Sequence, residues 1–595
     1  MDNDVAWDLT YLFKGYDDPQ LREIPTKVNT ELEQYVSSYR GAIDVPEMTP
    51  TRLRKLLDDY ERLLLLPYRL GMFANLSLAA NQNDKNAQKL ANTAQSLRTT
   101  VNTQLSFVKV ELGRLLDERL PEFLSAPELQ EYTHFLTRRK EEYAHTLSEE
   151  EEQLIVEKNQ YGINNWKNLQ QELVAKRSYT VVVEGKEQTI GFGKSRGLVS
   201  HPSREVRREV IDKVMNGLAE DREVYAYCLR SVCGDHLQMS KRRSYDNIRA
   251  SSYFANDVTA SMIESLVTTV EQNVDLFQEL LLLKAKELGT DKLLGEDLMT
   301  DLSTGETPTF TWEEAEKLVV EAYSSFDKEF GEKARAIFDV HRIDAASRVG
   351  KRAGAFCYPD FFNKSAFVLL SFSGTSDNLR TLAHEMGHAI HSTFLGESQP
   401  FLNYGVPMVM AETASIFGEM IMFNRLLEGA SPVVRKTMLL NQLFRNCTTV
   451  FEVCSRVRIE DQFYQTMQAG HFLDADTASK IFEEERRKYF GDAVEWRPNQ
   501  EYEWCWKPHY YRTDLRYYNY PYVFAALFVF ALYAEYRVNG EAFIPKYKEL
   551  LKAGSSAPPL VLGREIMGID MADPDFWKMG ISEMRNILAE IKELE

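Results

Sequence analysis

Apolar residues recur at helical spacing along most of this chain. Over residues 18–175 the pattern is one of long helices. Leu53, Leu56, Leu57, Tyr60, Leu63 and Leu64 make one stripe, and Leu105, Val108, Leu112 and Leu115 another. Ser148-Glu149-Glu150-Glu151, just ahead of Gln153-Leu154-Ile155, has the form of a capping box. The faces between these stripes are acidic, so this part reads as a helical bundle with solvated surfaces and no chemistry of its own. The period shifts to two over 179–190, where alternation around Gly185 predicts a hairpin. Helices resume over 203–287. Residues 344–354 are basic and glycine-bearing, a loop. The apolar run 367–372, ended by Ser373-Gly374-Thr375, predicts a strand. Two readings of that strand stand side by side. It is paired on both sides within a sheet, or it is an edge that pairs with an extended peptide and offers its carbonyls, with Gly374 at its end as a substrate-binding position. Helices follow from 412 to 489, then an aromatic stretch, then a helical scaffold over 543–595. The fold class predicted is mainly α, with a small sheet.

The chemistry sits after the strand, in Leu382-Ala383-His384-Glu385-Met386-Gly387-His388-Ala389-Ile390-His391. Thr375 or Ser376 can cap a helix here. Leu379, Leu382, Ala383, Met386, Ala389, Ile390 and Phe394 keep helical spacing, and Gly396 marks a stop. On that helix His384 and His388 lie one above the other, so both imidazoles can reach one tetrahedral ion, and zinc suits nitrogen ligands. Glu385 can take a proton from a water at the metal. The competing reading is a buried amphipathic helix with two incidental histidines. One class of zinc protease extends the motif to His-Glu-x-x-His-x-x-Gly-x-x-His. His391 and Phe394 occupy those places, which excludes it. The other class draws a glutamate from a later helix, and 407–419 supplies two. Glu412 and Glu419 are two helical turns apart and share a face. Glu412 is taken as the ligand and Glu419 as acceptor of an imidazole N–H; against this, either could be a solvated helix charge.

Composition narrows the partners. The chain has 595 residues, 44% of them hydrophobic, and a net charge of −19, which argues against nucleic acid or an anionic membrane surface. The N-terminus, Met1-Asp2-Asn3-Asp4-Val5-Ala6-Trp7-Asp8-Leu9, lacks the basic and apolar regions of a signal peptide, and the apolar run over 520–533 is too short for a membrane span. Six cysteines in a chain this long do not form a disulfide framework, so a reducing, cytoplasmic setting is expected. Trp504-Cys505-Trp506-Lys507-Pro508-His509-Tyr510-Tyr511 and Tyr517-Tyr518-Asn519-Tyr520-Pro521-Tyr522 bring neutral donors that could stabilise an oxyanion; for any one tyrosine, aromatic packing is the competing reading.

Several blocks together resemble oligoendopeptidase F and, more distantly, thimet oligopeptidase and neurolysin. They are Trp7-Asp8-Leu9-Thr10 with Leu12-Phe13, Leu147-Ser148-Glu149-Glu150, Leu198-Val199-Ser200-His201-Pro202-Ser203-Arg204, Gly350-Lys351-Arg352-Ala353-Gly354-Ala355-Phe356, the histidine motif with its flanks, and Ala411-Glu412-Thr413-Ala414-Ser415. The resemblance implies a prolate, mostly helical zinc metallopeptidase with a deep central channel. Residues 1–195 would form one wall of that channel and 196–595 the catalytic domain. It implies one zinc ion per chain on His384, His388 and Glu412, Glu385 as general base, and endoproteolysis of short unfolded peptides. It also implies a His and a Tyr facing the substrate carbonyl, His509 with Tyr522 as first choice, and Tyr511 and Tyr518 as further substrate-side residues. Oligomeric state is left open. Where the family usually reads Phe-Tyr-Val-Tyr-x-Tyr, this chain has Phe524 and Ala526 in place of two tyrosines. That departure keeps a catalytically silent peptide-binding protein as the alternative. A zinc aminopeptidase would need an acidic anchor for the substrate amine, and none stands out.

Overall fold

Most of the chain is helical, and the helix ends fall where the sequence supplies caps. In a computed structural model that describes residues 5–302 and 308–594, Thr49 caps the helix Pro50–Ala80, Ser148 closes a reciprocal capping box with Glu151, and Thr375 caps Ser376–Ser398. Residues 1–4 of the acidic N-terminal stretch lie outside the described part. The predicted leucine stripes face inward: Leu53, Leu56, Leu57 and Leu63, and Leu105, Val108, Leu112 and Leu115, are all buried. The hairpin forms between Ser178–Val183 and Lys186–Gly191, turning through Glu184 and Gly185, both with positive φ, as a tight right-twisting hairpin requires.

Contacts divide the chain into two compact units, each built from three segments. The first combines residues 1–146, 307–428 and 539–568; the second combines 147–306, 429–538 and 569–595. Residue 195, where the sequence reading divides the chain, falls inside the helix Phe192–Leu198 of the second unit. Helical periodicity carries no record of where a chain leaves one core and later returns to it, so this interleaving has no local signal.

In the first unit a three-stranded sheet lies against the histidine helix. Ser365–Leu369 is its central strand, parallel to Ile343–Asp344 and antiparallel to Phe356–Asp360. The strand Ser365–Leu369 is paired on both sides, and beyond it Leu370 and Phe372 donate to Asp344 and Ala345, so its flank facing Ile343–Asp344 is closed to a peptide. The Gly350–Phe356 block braces the same sheet. Lys351 Nζ donates to the carbonyls of Asp344, Ala346 and Leu370 and pairs with the buried Asp344 carboxylate. Phe367 and Leu369 then join the apolar cluster built by the N-terminal helices.

Two helical stretches, Pro50–Ala80 and Tyr520–Ala553, are long and apolar enough to cross a membrane, yet half of the apolar window in the first and 61% in the second is buried inside the fold. The run over 520–533 therefore opens a longer stretch than its apolar residues alone suggest, and much of that stretch serves as core.

Candidate metal centre and its flanking residues

His384 and His388 project from the helix Ser376–Ser398, with ring centroids 4.9 Å apart. Their Nε2 atoms lie at the same distance, 3.4 Å, from one oxygen of Glu412, Oε2. Ligand atoms about 2.0–2.1 Å from a tetrahedral ion are themselves about 3.3 Å apart, so these two distances are the ones a zinc ion would impose, and all three ligand atoms lie within 4.8 Å of one another. Among the described residues, His384, His388 and Glu412 are the one group of three or more such side chains whose ligand atoms cluster in this way. Two imidazoles and a carboxylate are also the donor types zinc takes, so the residues present fit the group.

Glu412 is not inside a continuous helix, as the seven-residue spacing suggested. It sits at a break between Met408–Ala411 and Thr413–Leu427, with φ −89° and ψ 5°. The Thr413 hydroxyl donates to the Met410 carbonyl across the break, and Ser415 Oγ donates to Glu412 Oε2 at 2.6 Å. Burial raises a carboxyl pKa, but the His388 and His384 rings and Ser415 override it and hold Glu412 down at about 2. Glu419 lies further along the same helix. It accepts from His384 Nδ1 at 2.6 Å and from Arg380 at 2.6 Å. Burial is again outweighed, here by His384 and Arg380, and Glu419 stays below the ordinary carboxylate range. A carboxylate can only accept, so His384 Nδ1 carries a proton, and Nε2 is the atom left to meet a metal.

Glu385 is only 6% exposed, and burial raises its pKa above the usual carboxylate value, with His384 and His388 pulling the other way. His391, the third histidine of the motif, is buried and held neutral by desolvation, its pKa lowered to about 3; it belongs to the core. Gly374 takes φ +85°, and its carbonyl accepts from Phe310 N, so it closes the loop before the helix. Arg380 and Ser415 went unread in the sequence. Arg380 lies four residues before His384 and Ser415 three after Glu412, and those helical spacings were the available signal.

His509, Tyr511, Tyr518 and Tyr522 belong to the second unit. Burial lowers the pKa of His509 to about 4, with Arg456, Lys507 and Arg512 adding to it, and its Nδ1 is buried without a hydrogen-bond partner. Its ring stacks on Tyr518, 5.7 Å away, and meets Tyr522 edge-on at 6.0 Å; Tyr518 and Tyr522 are 5.6 Å apart. Tyr522 is 37% exposed, in the first turn of Tyr520–Asn539. Tyr511, by contrast, is fully buried, as is Tyr510. Phe524 and Ala526, the departures from the usual tyrosine pattern, are also buried, Phe524 edge-on against Trp577. A hydroxyl at either place would enter apolar packing.

Comparison with known proteins identifies the family. The model of peptidase family M3 matches residues 198–583, and that of oligopeptidase F matches 111–179. An oligoendopeptidase F homolog of Lactococcus lactis subsp. lactis is 28% identical across 99% of this chain and 97% of its own length. Oligopeptidase PepF of Bacillus subtilis is 24% identical across 95% of this chain and 84% of its own. Among solved structures, oligoendopeptidase-F from Enterococcus faecium superposes with a TM-score of 0.70 at 23% identity, covering 97% of this chain and 98% of that one. The family model spans well over half the chain, and the chain belongs to peptidase family M3.

Proposed function

We propose that this peptidase is a zinc-dependent endopeptidase acting on internal bonds of short, unfolded peptides, with one zinc ion on His384, His388 and Glu412. The observation that carries the reading is the convergence of both Nε2 atoms on Glu412 Oε2 at 3.4 Å. Zinc bound there supplies Lewis acidity toward the scissile carbonyl and lowers the pKa of the attacking water. The chain's own groups do the rest. Glu385 takes a proton from that water as its oxygen bonds to the carbonyl carbon, then delivers the proton to the amine nitrogen as the C–N bond breaks. Glu419, kept ionised by Arg380, fixes the His384 tautomer and ring plane. His509 and Tyr522 are assigned as neutral donors to the carbonyl oxygen as charge builds on it. Burial and the cations nearby keep His509 uncharged, and Tyr518 stacked on it fixes its plane. The names of the relatives, oligoendopeptidase F and oligopeptidase, support short peptides as the substrate class.

The test is metal content together with cleavage of a mixed library of fluorogenic peptides, with and without chelator. Glu385→Gln is expected to keep one zinc per chain and lose activity by about 10²–10⁴-fold, the usual worth of a general base. Full activity in that variant, or hydrolysis that survives removal of all metal, overturns the assignment.

A further inference from the structure

The second unit contains a cavity of about 180 Å³ whose walls all come from that unit. A cavity of about 150 Å³ is enough to accept a benzene ring, so this one has room for a leucine-sized group. Its lining mixes apolar residues, among them Val199, Ile211, Met215 and Phe482, with a cluster of cations. Arg196, Arg456, Arg486 and Lys507 line it against two carboxylates, Glu452 and Glu503, an excess of two positive charges.

The carboxylates do not satisfy all four cations. Glu452 accepts from Arg456 NH2 and lies 3.4 Å from Lys507 Nζ; Glu503 lies 3.3 Å from Lys507 and 3.8 Å from Arg486. Arg456 Nε is buried with no hydrogen-bond partner. Arg196 has no carboxylate partner among the described residues; its guanidinium lies over the Trp506 ring at 4.4 Å. Burial lowers the pKa of Arg486 and Lys507, the sign of cations that have lost water without matching counter-charge, while Arg196 is itself exposed to solvent. Arg486 Cζ lies 3.5 Å from the Trp496 ring centroid and its Nη1 donates to the Gln500 carbonyl at 3.2 Å, which restrain it before any ligand arrives. Preformed guanidinium groups of this kind are suited to carboxylate recognition.

We propose that this cavity binds an apolar residue bearing a free carboxylate, its side chain among the apolar residues and its carboxylate at the cations. Two sources share that chemistry: the C-terminus of a peptide substrate and the same residue released as product. The cavity needs neither the metal nor Glu385, but the naming of a peptide as its ligand rests on the peptidase reading.

N-acetyl-leucine and its amide serve as probes in calorimetry on the full chain, alongside hydrolysis of one peptide with a free or an amidated C-terminus. N-acetyl-leucine is expected to bind at least about tenfold more tightly than its amide, the order expected of a charge-assisted hydrogen bond. Arg196→Gln, which leaves no carboxylate unpaired, should remove that preference, Arg196→Glu should abolish binding, and Glu385→Gln should keep it whatever becomes of hydrolysis. A KM about tenfold lower for the free-acid peptide, lost in Arg196→Gln, assigns the site to the substrate terminus. Equal KM values with N-acetyl-leucine binding intact assign it to the product. Absence of binding, or binding indifferent to Arg196, overturns the proposal.

Discussion

Gly387 lies between the two histidines, and the backbone just after Glu412 packs directly against it. A Cβ built there would meet Ala414 O at 2.4 Å, Ser415 Cα at 2.7 Å and Ala414 C at 2.8 Å, all backbone, whereas ordinary contact begins at 3.4 Å. Gly387→Ala therefore requires the two helices to part by about 1 Å, the difference between 3.4 and 2.4 Å. Ala414 and Ser415 sit in the first turn after Glu412, so the displacement carries the carboxylate with it. Metal–ligand distances tolerate about 0.2 Å. A shift of this size should weaken zinc binding more than about 100-fold, beyond the 10–100-fold typical of changes to groups that merely orient a ligand. Overpacking strain of this kind costs about 1–3 kcal/mol, so the protein should still fold. The assay is zinc competition against a chelator of known affinity, with circular dichroism to confirm folding and peptide hydrolysis at saturating zinc as second readout. Gly71→Ala, where an added Cβ meets nothing within 4 Å on another helix, is the control. Wild-type zinc affinity in folded Gly387→Ala would refute the claim that this close approach sets the distance between the histidines and Glu412.

Three further outcomes follow from groups around the two units. Glu419→Gln keeps an acceptor for His384 Nδ1 but removes the charge, so zinc affinity should fall by about tenfold or more in the same competition assay; an unchanged dissociation constant contradicts the orienting role. His509, its pKa lowered to about 4 by burial and by Arg456, Lys507 and Arg512, should show no titration between pH 5 and 8 when its ring proton is followed by NMR, and a midpoint near 6.5 would refute its assignment as a neutral donor. His236, lowered to about 4 chiefly by burial and next by Arg516, is bound neutral in the fold, while the unfolded chain takes a proton from about pH 6.5 downward. Stability is therefore lost as pH falls from 6.5 toward 4, by about 2 kcal/mol at pH 5 from this residue. Denaturant melts of wild type and His236→Asn at pH 7 and pH 5 should diverge by that amount, and parallel losses would exclude it.

What could be read from the sequence was what is local. Capping at Ser148 and Thr375, the leucine stripes and the turn at Gly185 all depend on residues within one element, and each forms where its pattern lies. The placement of His384 one helical turn from His388 follows from their spacing, so it too was legible. Glu412 was legible as a residue and not as a conformation: the helix break that presents it depends on a Thr413 hydroxyl bond and on packing against the histidine helix. The strand over 365–369 could not be placed at centre or edge, because its partner Ile343–Asp344 is two residues long and carries no periodicity. Tyr511 and Tyr522 differ only in which way their backbone turns them, one fully buried and one 37% exposed, and a run of tyrosines hides that difference.

Tyr547, in the helix Phe543–Ala553, is fully buried, and its hydroxyl donates to the Thr413 carbonyl at 3.0 Å, one residue past Glu412. During synthesis the two histidines and Glu412 leave the ribosome more than a hundred residues before this clamp does. The nascent chain thus carries these side chains long before Tyr547 can hold the segment that presents Glu412.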